Sequence, residues 1–122
     1  LIFSWIMGNN DMHLKNFSLY EPQEGKYRLT PAYDMLNAAI VNPKDKEELA
    51  LTLNGKKSKI KPEDFIKAAS TLGLPENVIM NLFAKYKSLE SRFAECVRQS
   101  FLSDELKEAY VELINKRLSK LH

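Results

Sequence analysis

Gly8-Asn9-Asn10-Asp11-Met12-His13-Leu14-Lys15-Asn16-Phe17-Ser18-Leu19-Tyr20, followed by Tyr27-Arg28-Leu29-Thr30-Pro31-Ala32-Tyr33-Asp34, decides how the chain is read. An apolar segment, Leu1 to Met7, breaks at Gly8 into a polar loop that gathers Asn9, Asn10, Asp11, His13, Lys15 and Asn16. Polar residues on loops held by rigid elements are where chemistry concentrates. The segment Phe17 to Tyr20 then reads as a strand, Pro22 to Gly25 as a turn, and Lys26 to Leu29 as the antiparallel partner. A hairpin returns the chain to where it left, which brings Asp34 back towards Asn16.

The spacing of Asp11 and Asn16 matches the catalytic loop of protein kinases. There an Asp accepts the proton of the substrate hydroxyl and an Asn four intervening residues later holds magnesium. Magnesium is a hard cation that takes oxygen ligands, commonly one or two carboxylates plus substrate phosphates. Asp34 is positioned by the hairpin to be the second protein ligand. Asp11 must stay free of metal and close to the attacking hydroxyl if it is to orient it and accept its proton.

These two runs, GNNDMHLKNFSLY and YRLTPAYDML, resemble the C-terminal lobe of HipA-like serine/threonine kinases, the toxin halves of bacterial toxin-antitoxin pairs. The catalytic loop of that family has the form Asp-x-His-x-Lys-Asn-Phe-Ser. The resemblance continues more weakly through Leu49 to Gly55 and Asp64-Phe65 to Gly73-Leu74, and beyond that only in helical character. It implies Asp11 as catalytic base, Asn16 and Asp34 as ligands of magnesium that carries ATP, His13 as a brace of the loop, and Lys15 near the transferred phosphate. It also implies a protein substrate, such as an aminoacyl-tRNA synthetase or another translation component, and an antitoxin partner to which DNA contact mainly belongs.

A kinase of this kind also needs a loop over the nucleotide phosphates and a strand lysine, both from an N-terminal lobe. The four glycines, Gly8, Gly25, Gly55 and Gly73, are isolated and form no phosphate loop. The chain therefore reads as the back half of a kinase, inactive by itself. The alternative is a stand-alone lobe with an unused site that serves as a protein-interaction module. A metallophosphoesterase reading of Asn9, Asp11 and His13 would require further His and Asp ligands, and the only other histidine is His122.

At 122 residues the chain fits one domain, with the catalytic and metal loops at 8–34 and a helical bundle at 62–122. The expected class is mainly α with a small antiparallel hairpin, an α+β lobe. A net charge of +2 is too slight to require nucleic acid or membrane as a partner. No run reaches the ~18 apolar residues of a membrane span, and Leu1 to Met7 lacks the marks of a signal peptide, so the cytoplasm is the default location. Cys96 is the single cysteine and excludes an internal disulfide; its position predicts a buried helix face.

Further along, Met35 to Val41 reads as a short helix or turn, and Asn42 to Glu48 as a charged loop. Alternation of Leu49, Leu51 and Leu53 predicts a strand ended by Asn54-Gly55. The lysines at 56, 57, 59 and 61 could attract nucleotide or an acidic substrate, although a solvated hairpin is the simpler reading because no aromatic interleaves them. Pro62 opens a helix with Phe65, Ile66, Ala69 and Leu72 on one face, ended by Gly73. Pro75 opens a long helix carrying Val78, Leu82, Tyr86, Leu89, Phe93 and Val97. Ser103 is a candidate N-cap for a last helix that presents Leu106, Tyr110, Leu113, Ile114, Arg117, Leu118 and Leu121.

Overall fold

The computed structural model describes residues 1–121; His122 lies outside the described residues. In order, the chain forms α1 (Ile2–Ile6), a single 3-10 turn (Leu14–Asn16), the strands β1 (Leu19–Gln23) and β2 (Lys26–Leu29), and then α2 (Pro62–Thr71), α3 (Glu76–Ser88), α4 (Glu90–Arg98) and α5 (Asp104–Leu118). This is the expected α+β class: among the described residues, helices and one two-stranded antiparallel sheet, with a long irregular segment at 30–61 between them. Among the described residues no helix is long and apolar enough to cross a membrane.

The hairpin pairs Leu19 with Leu29 and Tyr20 with Arg28, then shifts register before Gln23 meets Lys26. Pro22 therefore sits inside β1 rather than in the turn. It has no N–H for the ladder, and a register shift at an edge is where a strand tolerates that. The turn narrows to Glu24-Gly25, with Gly25 at φ +74°. Both strands are exposed along their whole length, Leu19, Tyr27 and Leu29 each by more than 60%. Burial within the described residues does not account for this hairpin.

The core lies elsewhere. Trp5 and Ile6 of α1 join Leu49, Leu53, Ile60, Phe65, Ala69, Ile79, Phe83, Val97, Ile114, Leu118 and Leu121 in one apolar cluster. Two ring contacts run through it, Trp5 on Phe65 edge-on at 5.5 Å and Phe65 on Phe83 at 6.2 Å, and beside it Phe3 meets Tyr86 at 6.1 Å and Phe93 at 6.2 Å. Arg117, predicted on the apolar face of the last helix, is buried there. Its guanidinium donates to the Trp5 carbonyl and lies 5.6 Å from the centre of the Trp5 ring. Burial pushes the Arg117 guanidinium below its usual pKa range, and the nearby Glu48 carboxylate opposes that shift. Glu48 also accepts the Trp5 indole N–H at 2.6 Å.

Several local expectations are corrected. Leu49 to Leu53 makes no strand; Leu49, Ala50 and Leu53 are buried, and the segment ends in a tight turn bridged between Leu53 and Lys56. Burial of alternate leucines without a partner strand produced the misleading pattern. The long helix divides at Leu89. There the last turn tightens to a bond from the Leu89 N–H to the Tyr86 carbonyl, and the Ser88 hydroxyl takes the Lys85 carbonyl. Cys96 is exposed on α4, where Ala94 and Val97 face inward. Leu72 is 77% exposed because α2 ends before it. Residues 35–41 take the second of the two expected forms, an extended run and a turn, with the Ala38 and Ala39 N–H groups both on the Gly8 carbonyl at 3.1 Å. The N-cap expectation holds: Ser103 Oγ accepts the Leu106 N–H at 3.4 Å.

Asp64 ties the turn at 53–61 to α2. Its carboxylate accepts Asn54 Nδ2 at 2.9 Å, Lys56 Nζ at 2.8 Å and the Lys61 N–H at 2.9 Å, the last of these capping the helix. Burial pushes this carboxyl up, but the bonds from Asn54, Lys56 and Lys61 outweigh it and hold the pKa at about 2, below the ordinary 3.8. A depressed folded-state value adds stability that is present above the ordinary pKa and lost as pH falls through the folded one. Urea midpoints should therefore decline from about pH 4 towards pH 2, and Asp64→Asn should flatten that limb while lowering stability at pH 7 by about 2 kcal/mol. An unchanged limb in the variant would assign it to other carboxylates.

Candidate active site

Gly8 starts the loop by a geometry only glycine fits. Its φ is +73°, and a Cβ there would come within 2.8 Å of Asn37 Oδ1 and of Leu113 Cδ2. The chain leaves α1 sharply and runs against the 37–39 segment, which fixes where the following residues point.

Asn9 is 1% exposed and spans both halves of the site. Its Oδ1 accepts the Asp11 N–H at 3.2 Å, and its Nδ2 donates to the Asp34 carbonyl at 3.4 Å. Asn10 turns the other way, donating to Asp45 Oδ2 at 3.2 Å and to the Glu47 carbonyl at 3.0 Å. Asn16, also buried, closes the loop: its Oδ1 accepts the His13 N–H at 3.0 Å and its own N–H reaches the His13 carbonyl at 2.9 Å. Its Nδ2 donates to Asp34 Oδ2 at 2.7 Å. The hairpin has brought Asn16 and Asp34 into direct contact. Asp34 holds φ +54°, a left-handed conformation that Asp tolerates better than most residues and that is found disproportionately at functional sites. Tyr33 secures the return, its hydroxyl donating to the Lys15 carbonyl at 3.1 Å and lying 2.7 Å from Ser18 Oγ.

The remaining predicted residues are on the same loop and face solvent. Asp11 is exposed, and His13 Nε2 stands 3.5 Å from its Oδ1. The His13 backbone bonds with Asn16 on both sides, and its imidazole lies beside Asp11. Lys15 is exposed. Among the described residues no three His, Cys, Asp or Glu side chains converge, so the metallophosphoesterase set of ligands is not assembled. A cavity of about 60 Å³ lies beside Asn16, lined by Met12, Phe17, Leu29 and Thr30 to Ala32.

Sequence reasoning missed Asn9, Asn10 and Tyr33 as structural members of the site. Asn in a turn is ordinary. The available signal was position: two asparagines directly after a helix-ending glycine, where backbone groups of an approaching segment need partners.

The model of the HipA-like C-terminal domain matches residues 1–98, and the chain belongs to that family. A protein of Haemophilus influenzae named "Putative kinase" is 24% identical over 138 aligned positions, covering all of this chain and 40% of its own length. A second, from Sinorhizobium fredii and named "Putative kinase Y4dM", is 32% identical over 82 positions, covering 66% of this chain and 20% of its own length. The chain thus spans less than half of the curated relatives it matches. Among solved structures, the fold is similar to a chain in the complex of the Shewanella oneidensis toxin-antitoxin proteins HipA and HipB with their operator DNA. That match has a TM-score of 0.73 and 23% identity, over 96% of this chain and 28% of the other.

Proposed function

We propose that this chain is the catalytic lobe of a serine/threonine protein kinase that moves the γ-phosphate of ATP to a Ser or Thr hydroxyl of a protein. The observation that carries the reading is the 2.7 Å contact of Asn16 with Asp34, joined through buried Asn9 to the loop that bears Asp11. Family membership and relatives named as kinases support it.

The donor set suits magnesium. With Asp34 Oδ2 engaged by Asn16 Nδ2, Asp34 Oδ1 is left for a cation, and Asn16 Oδ1 keeps one lone pair beyond its bond from His13. Asn16 and Asp34 would hold the ion, which when bound would supply positive charge against the phosphates. The chain's own residues supply the rest. Asp11, exposed at the loop surface, orients the substrate hydroxyl and takes its proton as the hydroxyl oxygen bonds to the γ-phosphorus and the bond to the β-phosphate oxygen breaks. Lys15, on the 3-10 turn, offers its ammonium to the transferred phosphoryl. Asn9 and Tyr33 keep the two loops in register, which is where most of the rate advantage of such a site arises.

The cavity of about 60 Å³ beside Asn16 is too small for a nucleotide, so base and ribose would rest on other residues. The exposed Leu19, Tyr27 and Leu29 of the hairpin offer a surface on which those residues could pack. The HipB partner of the Shewanella structure supports an antitoxin as the natural partner, and the substrate we propose is a translation component.

In the full-length protein, Asp34→Ala should raise the magnesium concentration for half-maximal phosphoryl transfer by about tenfold or more. Asn16→Ala should do the same and also loosen the loop, because His13 loses its acceptor. Magnesium dependence identical to the parent in both variants would remove these residues from the metal site.

A further inference from the structure

The turn between the core leucines and α2 is held rigidly yet displays a strained lysine. Leu53 and Lys56 exchange backbone bonds at 2.8 and 2.9 Å, the Glu48 N–H reaches the Lys57 carbonyl at 2.6 Å, and Asp64 grips Lys56 and the Lys61 N–H. Inside this frame Lys59 adopts φ +54°. Left-handed backbone at a non-glycine residue costs on the order of 1 kcal/mol and persists only where its surroundings impose it.

Lys59 lines a groove of about 640 Å³ together with Lys61 and with Lys120, which lies just past the end of α5. Among the described residues none of these three lysines is in an ion pair. Lys120 is oriented, its ammonium 5.7 Å from the centre of the Trp5 ring. Two carboxylates, Glu48 and Glu63, share the groove. Glu48 is already occupied by the Trp5 indole and, at 3.4 Å, the Ile60 N–H. The groove therefore carries three ammoniums against two carboxylates, of which Glu48 is held in place.

We infer that this groove, formed by the turn before α2 and the end of α5, is a docking surface for an acidic protein segment. A nucleic acid fits it less well. No aromatic side chain lines the groove for bases to stack on, and Glu63 would face a continuous phosphate chain. An extended peptide can place its carboxylates against Lys59, Lys61 and Lys120 and set uncharged residues against Glu48 and Glu63. Charge complementarity of this kind sets partner choice and encounter rate.

The test uses the full-length protein and a fluorescein-labelled decapeptide of alternating Glu and Ser, with a 20-base-pair DNA duplex as competitor. Carbodiimide coupling of bound peptide should place its cross-links on Lys59, Lys61 and Lys120. Lys59→Glu with Lys120→Glu should weaken binding about tenfold or more, and Lys59→Gln with Lys120→Gln by less. A control reversal on α3, Lys85→Glu with Lys87→Glu, should leave binding unchanged. Cross-links scattered over Lys26, Lys85 and Lys87, or equal losses in the control, overturn the proposal. So does a duplex that displaces the peptide from these lysines and binds more tightly, which would assign the groove to nucleic acid.

Discussion

Asp11→Asn in the full-length protein is expected to lower phosphoryl transfer by about 10³-fold, within the range that a positioned general base contributes, without changing the fold. The separation of the two effects follows from the loop. The Asp11 side chain is exposed, with the His13 imidazole 3.5 Å from its carboxylate. Its structural bond is made by the backbone N–H to Asn9 Oδ1, which an Asn at position 11 retains. The variant should therefore bind magnesium and nucleotide as the parent does and fail at transfer. Activity within about threefold of the parent, measured with the same protein substrate, would remove Asp11 from the role of base.

Trp5→Ala is the change expected to cost most stability. The ring is fully buried, packs edge-on against Phe65, lies under the Arg117 and Lys120 cations, and its indole N–H occupies Glu48. Truncation of a buried aromatic costs about 3–5 kcal/mol, a large part of a domain's total. Here the loss should reach the upper part of that range, because Glu48 and Arg117 are left with fewer partners. A urea melt should show a lower midpoint, and Trp5→Phe should fall between the two because it keeps the ring and loses the indole bond. A Trp5→Ala protein within about 1 kcal/mol of the parent would contradict this picture of the core.

The arrangement of the candidate site was more legible in the sequence than the packing. Asp11, His13, Lys15 and Asn16 stand in one short run, and a hairpin is a local device, so the approach of Asp34 to Asn16 followed from turn residues alone. The hairpin's own edges were less legible, because a proline inside β1 reads as turn until the register shift that accommodates it is seen. Tertiary effects account for the other differences. Leu49 and Leu53 alternate like a strand but are buried under helices, and Cys96 sits beside inward-facing Val97 yet points outward. The break at Leu89 carries neither proline nor glycine, only Ser88 bonding back to Lys85. Asn9 was placed in the polar loop with no bracing role, because its bond to the Asp34 carbonyl forms only on the return of the chain.

The central claim is that the loop at 9–16 and Asp34 together form a phosphoryl-transfer site, and paramagnetic broadening tests it most directly. Manganese, standing in for magnesium, would be added with ATP to full-length protein labelled with ¹⁵N at asparagine. The account predicts that the Asn16 side-chain amide disappears first, followed by Asn9, while Asn81 on α3 and Asn115 on α5 persist. Saturating nucleotide with the Asn16 signal intact would contradict it.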